Sequence, residues 1–258
     1  MRRTFAAVGL ALLLALSGCS FLGGPGTATD AGGLTADTAP PGVSADSERL
    51  ENETALVAAH TDRLVDTGFR YELRSNATVV QQGEPRQVRR QQVTRVAPGR
   101  TQYNYTTVNP GSRFDVWGNE SVQAVKVQFG DQVQYRTGEA AAAASLTGQN
   151  VFVRYLSSGE WAVTNVTERE GTTTLVTLES STPPTRAGAL PRNATDVRDY
   201  EARIVVDGEG RVYQFVTSGT YTIDDTEGSF QLVYVLRSLD DPGVTKPQWA
   251  DEALSQSG

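Results

Sequence analysis

Cysteine is almost missing from this chain: its 258 residues include one, Cys19, together with one methionine, one histidine and two lysines. A single thiol excludes an internal disulfide and any metal cluster built on several cysteines, so stability must come from an apolar core. A Ser-His-Asp hydrolase would have to use His60, which reads as part of a surface helix, and the sequence has no G-x-S-x-G elbow. Neither a phosphate loop nor a dinucleotide fingerprint is present. No cofactor, metal site or enzymatic activity is therefore expected; a glycosidase pair of carboxylates, which has no motif, stays open among 30 acids. Long apolar runs are lacking too. Phe5 to Leu16 spans only about a dozen residues, against the ~20 a membrane-crossing helix needs.

What the amino terminus does contain is ordered as an export signal: Arg2 and Arg3, then the apolar run, then small Ser17 and Gly18 before Cys19. Leu16-Ser17-Gly18-Cys19 resembles the lipobox of exported lipoproteins, in which the thiol is alkylated by lipid and the chain is cut just before it. The resemblance implies that residues 1–18 are a signal peptide and that Cys19 becomes the first mature residue. One acyl chain binds membranes reversibly and two bind stably, so a two-chain lipid is expected. Arg2-Arg3 also resembles the twin-arginine signal for export of folded proteins, and serves equally well as an ordinary basic leader. The expected address is the outer face of the cell membrane.

Removing residues 1–18 leaves 21 basic against 30 acidic residues, a net charge of −9. Such a surface disfavours nucleic acid and anionic headgroups. Lys126 and Lys246 are the only lysines, and an acidic, lysine-poor composition resembles that of proteins from salt-loving archaea. Asn52, Asn76, Asn104, Asn119, Asn165 and Asn193 each open an N-x-S/T triplet, the acceptor pattern for glycosylation and a sign of surface placement.

Ser20 to Asp46 is rich in Gly, Ala, Thr, Asp and Pro and reads, from Cys19 onward, as a lipidated disordered tether reaching roughly 30 Å. Residues 47–258 read as one domain. Ser47 to Asp66 has Leu50, Val57 and Leu64 at seven-residue steps and reads as a helix stopped by Gly68. From Phe69 the period becomes two, through Phe69-Tyr71-Leu73, Tyr103-Tyr105, Val125-Val127-Phe129 and Val133-Tyr135, with Gly130-Asp131 as a hairpin turn. Further strands are expected at 151–156, 161–167, 172–179, 200–206, 212–223 and 230–236. Glu139 to Leu146 is alanine-rich and reads as a short helix, and 181–196, with three prolines, as a crossing loop. Asp207-Gly-Glu-Gly-Arg211 and Asp224-Asp225 read as turns, since a calcium loop needs about six oxygen ligands. In the last long strand Phe230, Leu232, Tyr234 and Leu236 face one way and Val233 and Val235 the other, which calls for cover on both sides. A helix, closure of the sheet on itself, or a bound apolar ligand would each supply it.

This element order, an amino-terminal helix followed by an extended antiparallel sheet, resembles the lipoprotein-carrier (LolA-like) half-barrel. The lipobox, the PPGVSADSE start, the RYELRSNATV strand and the VTKPQWADEA tail further resemble a haloarchaeal lipoprotein family of unknown function. The expected fold is mainly β with a few helices, one large curved antiparallel sheet packed against an amino-terminal helix and a short second one. The half-barrel resemblance implies a lipidic or other hydrophobic ligand on the concave face, for which Phe129, Tyr135, Tyr213, Phe215, Leu232 and Tyr234 are the candidate lining. The alternative is a structural or assembly protein of the cell surface with no small-molecule ligand. No residue resolves the two.

Overall fold

The computed structural model describes residues 29–30, 33–81, 83–157, 160–169, 173–186 and 188–256. The leader with Arg2, Arg3, Leu16, Ser17, Gly18 and Cys19 lies outside them.

Three short strands, β1 (Thr29–Asp30), β2 (Val43–Ser44) and β3 (Arg49–Leu50), precede helix α1 (Glu53–Thr67). Asn52 caps α1 by accepting the Ala55 N–H at 3.0 Å, and Gly68, at φ 75°, ends it by returning its N–H to Leu64. The helix starts later than the heptad spacing suggests, because Asn52 satisfies an amide that Ser47 cannot reach. Leu56, Val57, His60, Thr61 and Leu64 form its buried stripe.

A six-strand meander follows: β4 (Phe69–Gln81), β5 (Glu84–Val96), β6 (Gln102–Asn109), β7 (Ser112–Asn119), β8 (Val122–Phe129) and β9 (Gln132–Glu139). Helices α2 (Ala143–Leu146) and α3 (Gln149–Leu156) lead to β10 (Ala162–Arg169), β11 (Thr173–Ser180), β12 (Thr195–Asp207), β13 (Val212–Ile223) and β14 (Thr226–Leu239), and α4 (Gln248–Ser255) closes the chain. All pairings are antiparallel, and the main path runs β2-β3-β10-β11-β12-β13-β14-β4-β5-β6-β7-β8-β9, with β1 beside β10. The fold is a single open, curved antiparallel sheet. Its middle is a suture between β14 and β4, where Tyr234 lies opposite Leu73 and Leu236 opposite Tyr71.

One face, here the inner one, carries α1, α2 and α3. Tyr71, Tyr103, Val116, Val176, Ile204, Phe215, Tyr234 and Leu236 all belong to it and join Leu56, Leu64, Phe152 and Leu156 of the helices in one core cluster. The QNVFVRYL segment, expected as a strand over 151–156, is the helix α3. Its Val151 and Val153 alternate like a strand, but Phe152, Tyr155 and Leu156 at i, i+3, i+4 are the residues buried, and that spacing wins. Phe152 stands edge-on to His60, Tyr234 and Phe215 with ring centroids 4.9, 5.0 and 5.9 Å away.

The folded domain begins earlier than Asp46. Leu34 and Val43 are buried in the core cluster, β2 pairs with β3, and β1 pairs with β10. Leu34 and Val43 are the large apolar residues between 33 and 46, and two suffice to dock that segment. The double cover expected for the last strand is also corrected. Val233 and Val235 face outward and are half-buried, beside Arg74 and Glu72 in the register. There Glu72 gathers Arg70, Arg74 and Arg237 at 3.0 to 3.1 Å. Burial raises the Glu72 pKa, but the Arg237 hydrogen bond and the three guanidinium charges outweigh it and hold the carboxyl below its usual range. The outer face carries a helix elsewhere: α4 lies over β8 and β9, with Trp117, Ala124, Ala250 and Ala253 as its small core. No helix among the described residues is long and apolar enough to cross a membrane.

Candidate functional site

The inner face has two unlike halves. Under α1 and α3 it is filled. His60, read from sequence as a surface residue, is fully buried there. Its Nδ1 accepts the Val212 N–H at 3.0 Å and its Nε2–H donates to the Thr147 carbonyl at 3.1 Å. That pair of bonds assigns the neutral tautomer. Burial holds the His60 pKa down at about 4, against smaller upward pulls from the Thr147 carbonyl and the Asp207 charge. With both nitrogens spent on backbone groups, His60 is a structural clasp between α1, α2 and β13. Asp207 is equally committed: its carboxylate accepts from the Glu209 and Arg211 amides and the Arg211 guanidinium, which closes the expected turn.

Past Tyr71, Tyr103 and Val116 the inner face of β4 to β9 is only partly covered, with Thr107 and Val127 still buried on it. Leu73, Tyr105, Phe114 and Val125 are half-buried, and Phe129 is 47% exposed. The registers place them on one face: Leu73 lies opposite Gln92, Gln92 opposite Thr107, Thr107 opposite Phe114, and Phe114 opposite Val127, two residues from Val125 and Phe129. Leu73, Tyr105 and Val125 also pack on the edge of the main core, so the lining is continuous with the filled half. Phe114 and Phe129 meet edge to face at 6.1 Å. A polar thread crosses the floor, where Gln92 donates to Tyr71 Oη at 2.9 Å and to Thr94 Oγ1 at 3.1 Å. Burial pushes the Tyr71 phenol up to about 12, while Arg90 pulls it and the Tyr105 phenol the other way. The result is a trough with an apolar lining and hydrogen-bonding groups in its floor, a chemistry suited to an amphiphile rather than to catalysis.

The six residues proposed from sequence do not share it. Phe129 lies in the trough. Phe215 and Tyr234 are on the inner face but fully buried in the filled half, with Leu232 half-buried beside them. Tyr213 sits where β13 slips against β12, and its hydroxyl donates to Asp207 at 3.3 Å. Tyr135 points to the opposite face and stacks on Trp249 of α4 at 6.5 Å. The reason is parity. The two-residue turn Gly130-Asp131 pairs Phe129 with Gln132, so odd positions of β8 share a face with even positions of β9. Reading Phe129 and Tyr135 as one face overlooked that exchange. Leu73, Tyr105, Phe114 and Val125 were missed as lining, although their period of two was visible in the sequence.

Of the six sequon asparagines, Asn76, Asn104, Asn119 and Asn165 take outer-face positions in the sheet register. Asn52, which caps α1, and Asn193, in a loop at φ 64°, are exposed. None of the six enters the trough. The surface hollows bordered by Asn76, Asp199 and Gln231, and by Trp249 and Glu252, are open rather than enclosed.

Among solved structures the chain is similar to a DUF1329 family protein from Desulfovibrio piger, at 12% identity and a TM-score of 0.26, covering 73% of this chain and 92% of that one. It is also similar to a LolA superfamily protein from Nitrosomonas europaea, at 11% identity and a TM-score of 0.26, covering 75% and 97%. Scores this low leave the fold resting on this chain's own strand order. No curated protein matches it. The match that spans the chain covers residues 4–253, and by it the chain belongs to the family of unknown function DUF7537.

Proposed function

We propose that this protein is an exported lipoprotein, anchored through a lipid on Cys19 to the outer face of the cell membrane, whose inner face binds a lipidic or other hydrophobic ligand. The observation that carries the reading is the partly covered half of the inner face. A sheet that fills one half of its concave side with Phe152, Trp161 and Phe215 leaves the other half lined by half-buried Leu73 and Phe114 and by exposed Phe129. Exposing Phe129 beside a completed core has a cost in water that a ligand would recover. The sequons support the same orientation, since glycans on the outer face would leave the trough clear. The salt-loving archaeal origin is the part of the proposal that rests on composition alone. No catalytic step is included, because His60 has no free nitrogen with which to act as a base.

Organic extraction of the purified full-length protein, followed by mass spectrometry, tests the binding reading. A recovered apolar molecule, lost in the Phe129→Asp variant while the fold persists, is the expected result. A clean extract from both proteins, with one neighbouring protein dominating cross-links in cells, would replace it with the assembly reading. Anchoring is tested separately by Cys19→Ser, which should move the protein from the membrane fraction to the medium.

A further inference from the structure

The trough differs from the rest of the molecule in charge. The whole chain carries 30 acidic and 23 basic residues, yet residues 69–97, which make β4, β5 and their turn, carry six arginines and two glutamates. The register divides them between the faces. Arg70, Arg74, Arg89 and Arg95 face outward with Glu72, whereas Arg86 and Arg90 face inward, opposite Val79 and Ser75. On the far wall Arg136, opposite Val125, also faces inward. Across the inner positions of β4 to β9 these three arginines meet one acid, Glu84, in the β4–β5 turn.

Arg86, Arg90 and Arg136 are exposed, and none has a carboxylate within salt-bridge distance among the described residues. On the outer face Arg70, Arg74 and Arg237 share Glu72 and Arg113 is fixed on Asp115 at 2.8 Å, while Arg89 and Arg95 likewise have no ion pair among the described residues. An acidic protein has thus placed three guanidinium groups without ion pairs along an apolar trough, against a single carboxylate, Glu84, on the same inner positions. Guanidinium is weakly hydrated and forked, which fits it to carboxylate or phosphate oxygens at the edge of an apolar surface.

We infer that the trough takes an anionic amphiphile, with Arg90 and Arg86 holding a carboxylate or phosphate headgroup while the tail lies along Phe114, Val125 and Phe129. This rests on the ligand-binding reading above and adds the sign of the headgroup to it. Arg90 is the principal contact, since it stands across from Ser75 and beside Gln92, whose amide already serves the floor. Arg136 closes the opposite wall. The overall negative charge, which repels anions at long range, makes the local reversal a selector: an anion gains only inside the trough.

The test uses the full-length protein titrated with 11-dansylaminoundecanoic acid and with its methyl ester, which share a tail and differ by one negative charge. The acid should bind about tenfold more tightly than the ester, as one charged hydrogen bond accounts for. Arg90→Gln should remove that preference by weakening the acid alone, and 1 M salt should narrow it. Arg89→Gln changes the same net charge on the neighbouring residue but on the outer face, and should leave both affinities unchanged. A supplementary titration with hexadecyl phosphate should displace the acid in competition. Equal binding of acid and ester, unaffected by Arg90→Gln, would overturn the headgroup assignment and leave hydrophobic binding standing. Equal weakening by Arg89→Gln and Arg90→Gln would overturn it as well, by showing a diffuse charge effect. Failure of both probes to bind would overturn this inference together with the reading beneath it.

Discussion

His60 shows how much one side chain can hold together. It ties α1 to the carbonyl before Gly148 and to the amide that begins β13, so protonating it breaks the Val212 bond as well as burying a charge. Its folded pKa, about 4, lies below the 6.5 of an exposed histidine. The unfolded chain therefore binds the proton first, and stability is complete above pH 6.5 and lost as the pH falls toward 4. Between pH 7 and pH 5 the loss should be about 2 kcal/mol. Urea melts across that interval should show it, and His60→Gln, less stable at pH 7, should have a flat profile there. A wild-type midpoint that does not move would mean that His60 takes up its proton over the same pH range in the folded and the unfolded chain. Tyr234 is the contrary case: fully buried, it has a hydroxyl with no hydrogen-bond partner among the described residues. Tyr234→Phe should accordingly be neutral or stabilise by about 1 kcal/mol in the same assay. A clear loss instead would point to an occupant bonded to that hydroxyl.

At the level of elements, the sharpest fit is between β6 and β7. Tyr103 lies across Gly118, and its hydroxyl accepts the Ala141 N–H at 2.7 Å, anchoring the link from β9 to α2. A Cβ on Gly118 would run into the Tyr103 ring. Gly118→Ala should cost about 1 to 3 kcal/mol by thermal melt, and Gly118→Ala with Tyr103→Phe should regain little, because the ring remains. Full recovery in that double variant would place the conflict at the hydroxyl alone. Within the meander β4, β6, β8 and β9 were legible from alternation, as were the turns at Gly130-Asp131 and Asp224-Asp225, whereas β5, rich in arginine and glutamine, and β7 were not read as strands. Helix α3 was not, because Val151 and Val153 imitate a strand between the buried aromatics. Helix α4 carries one tryptophan and small alanines over Trp117 and Ala124, a stripe too narrow to stand out before the sheet exists. The clasp at His60 was beyond reading for another reason: its partners lie 87 and 152 residues away. The trough was half legible. Its residues alternate visibly, but which strands share a face depends on turn parity, and its charge emerges only when β5 is split into two sides.

For the whole molecule the decisive join is β14 against β4, which brings residues 69–77 to residues 230–239. Two local meanders meet there, and neither buries its inner face without the other. Such distant pairing folds slowly, on a scale of about milliseconds to seconds. Native-state hydrogen exchange should find β13, β14 and β4 opening only with global unfolding, and the edge strands β9 and β2 opening at lower free energy. If β4 to β8 exchanged at a free energy of their own, the two meanders would be separate cooperative units. The strand path also separates two rims. The chain comes into the sheet at β1, on β10, while the trough runs out to β9 at the other end of the path. If the protein hangs by its amino terminus, its handle joins near one end of the strand order and its mouth reaches the other, as in a ladle. A cargo could then be offered outward to a receiver while the bearer never lets go of its mooring.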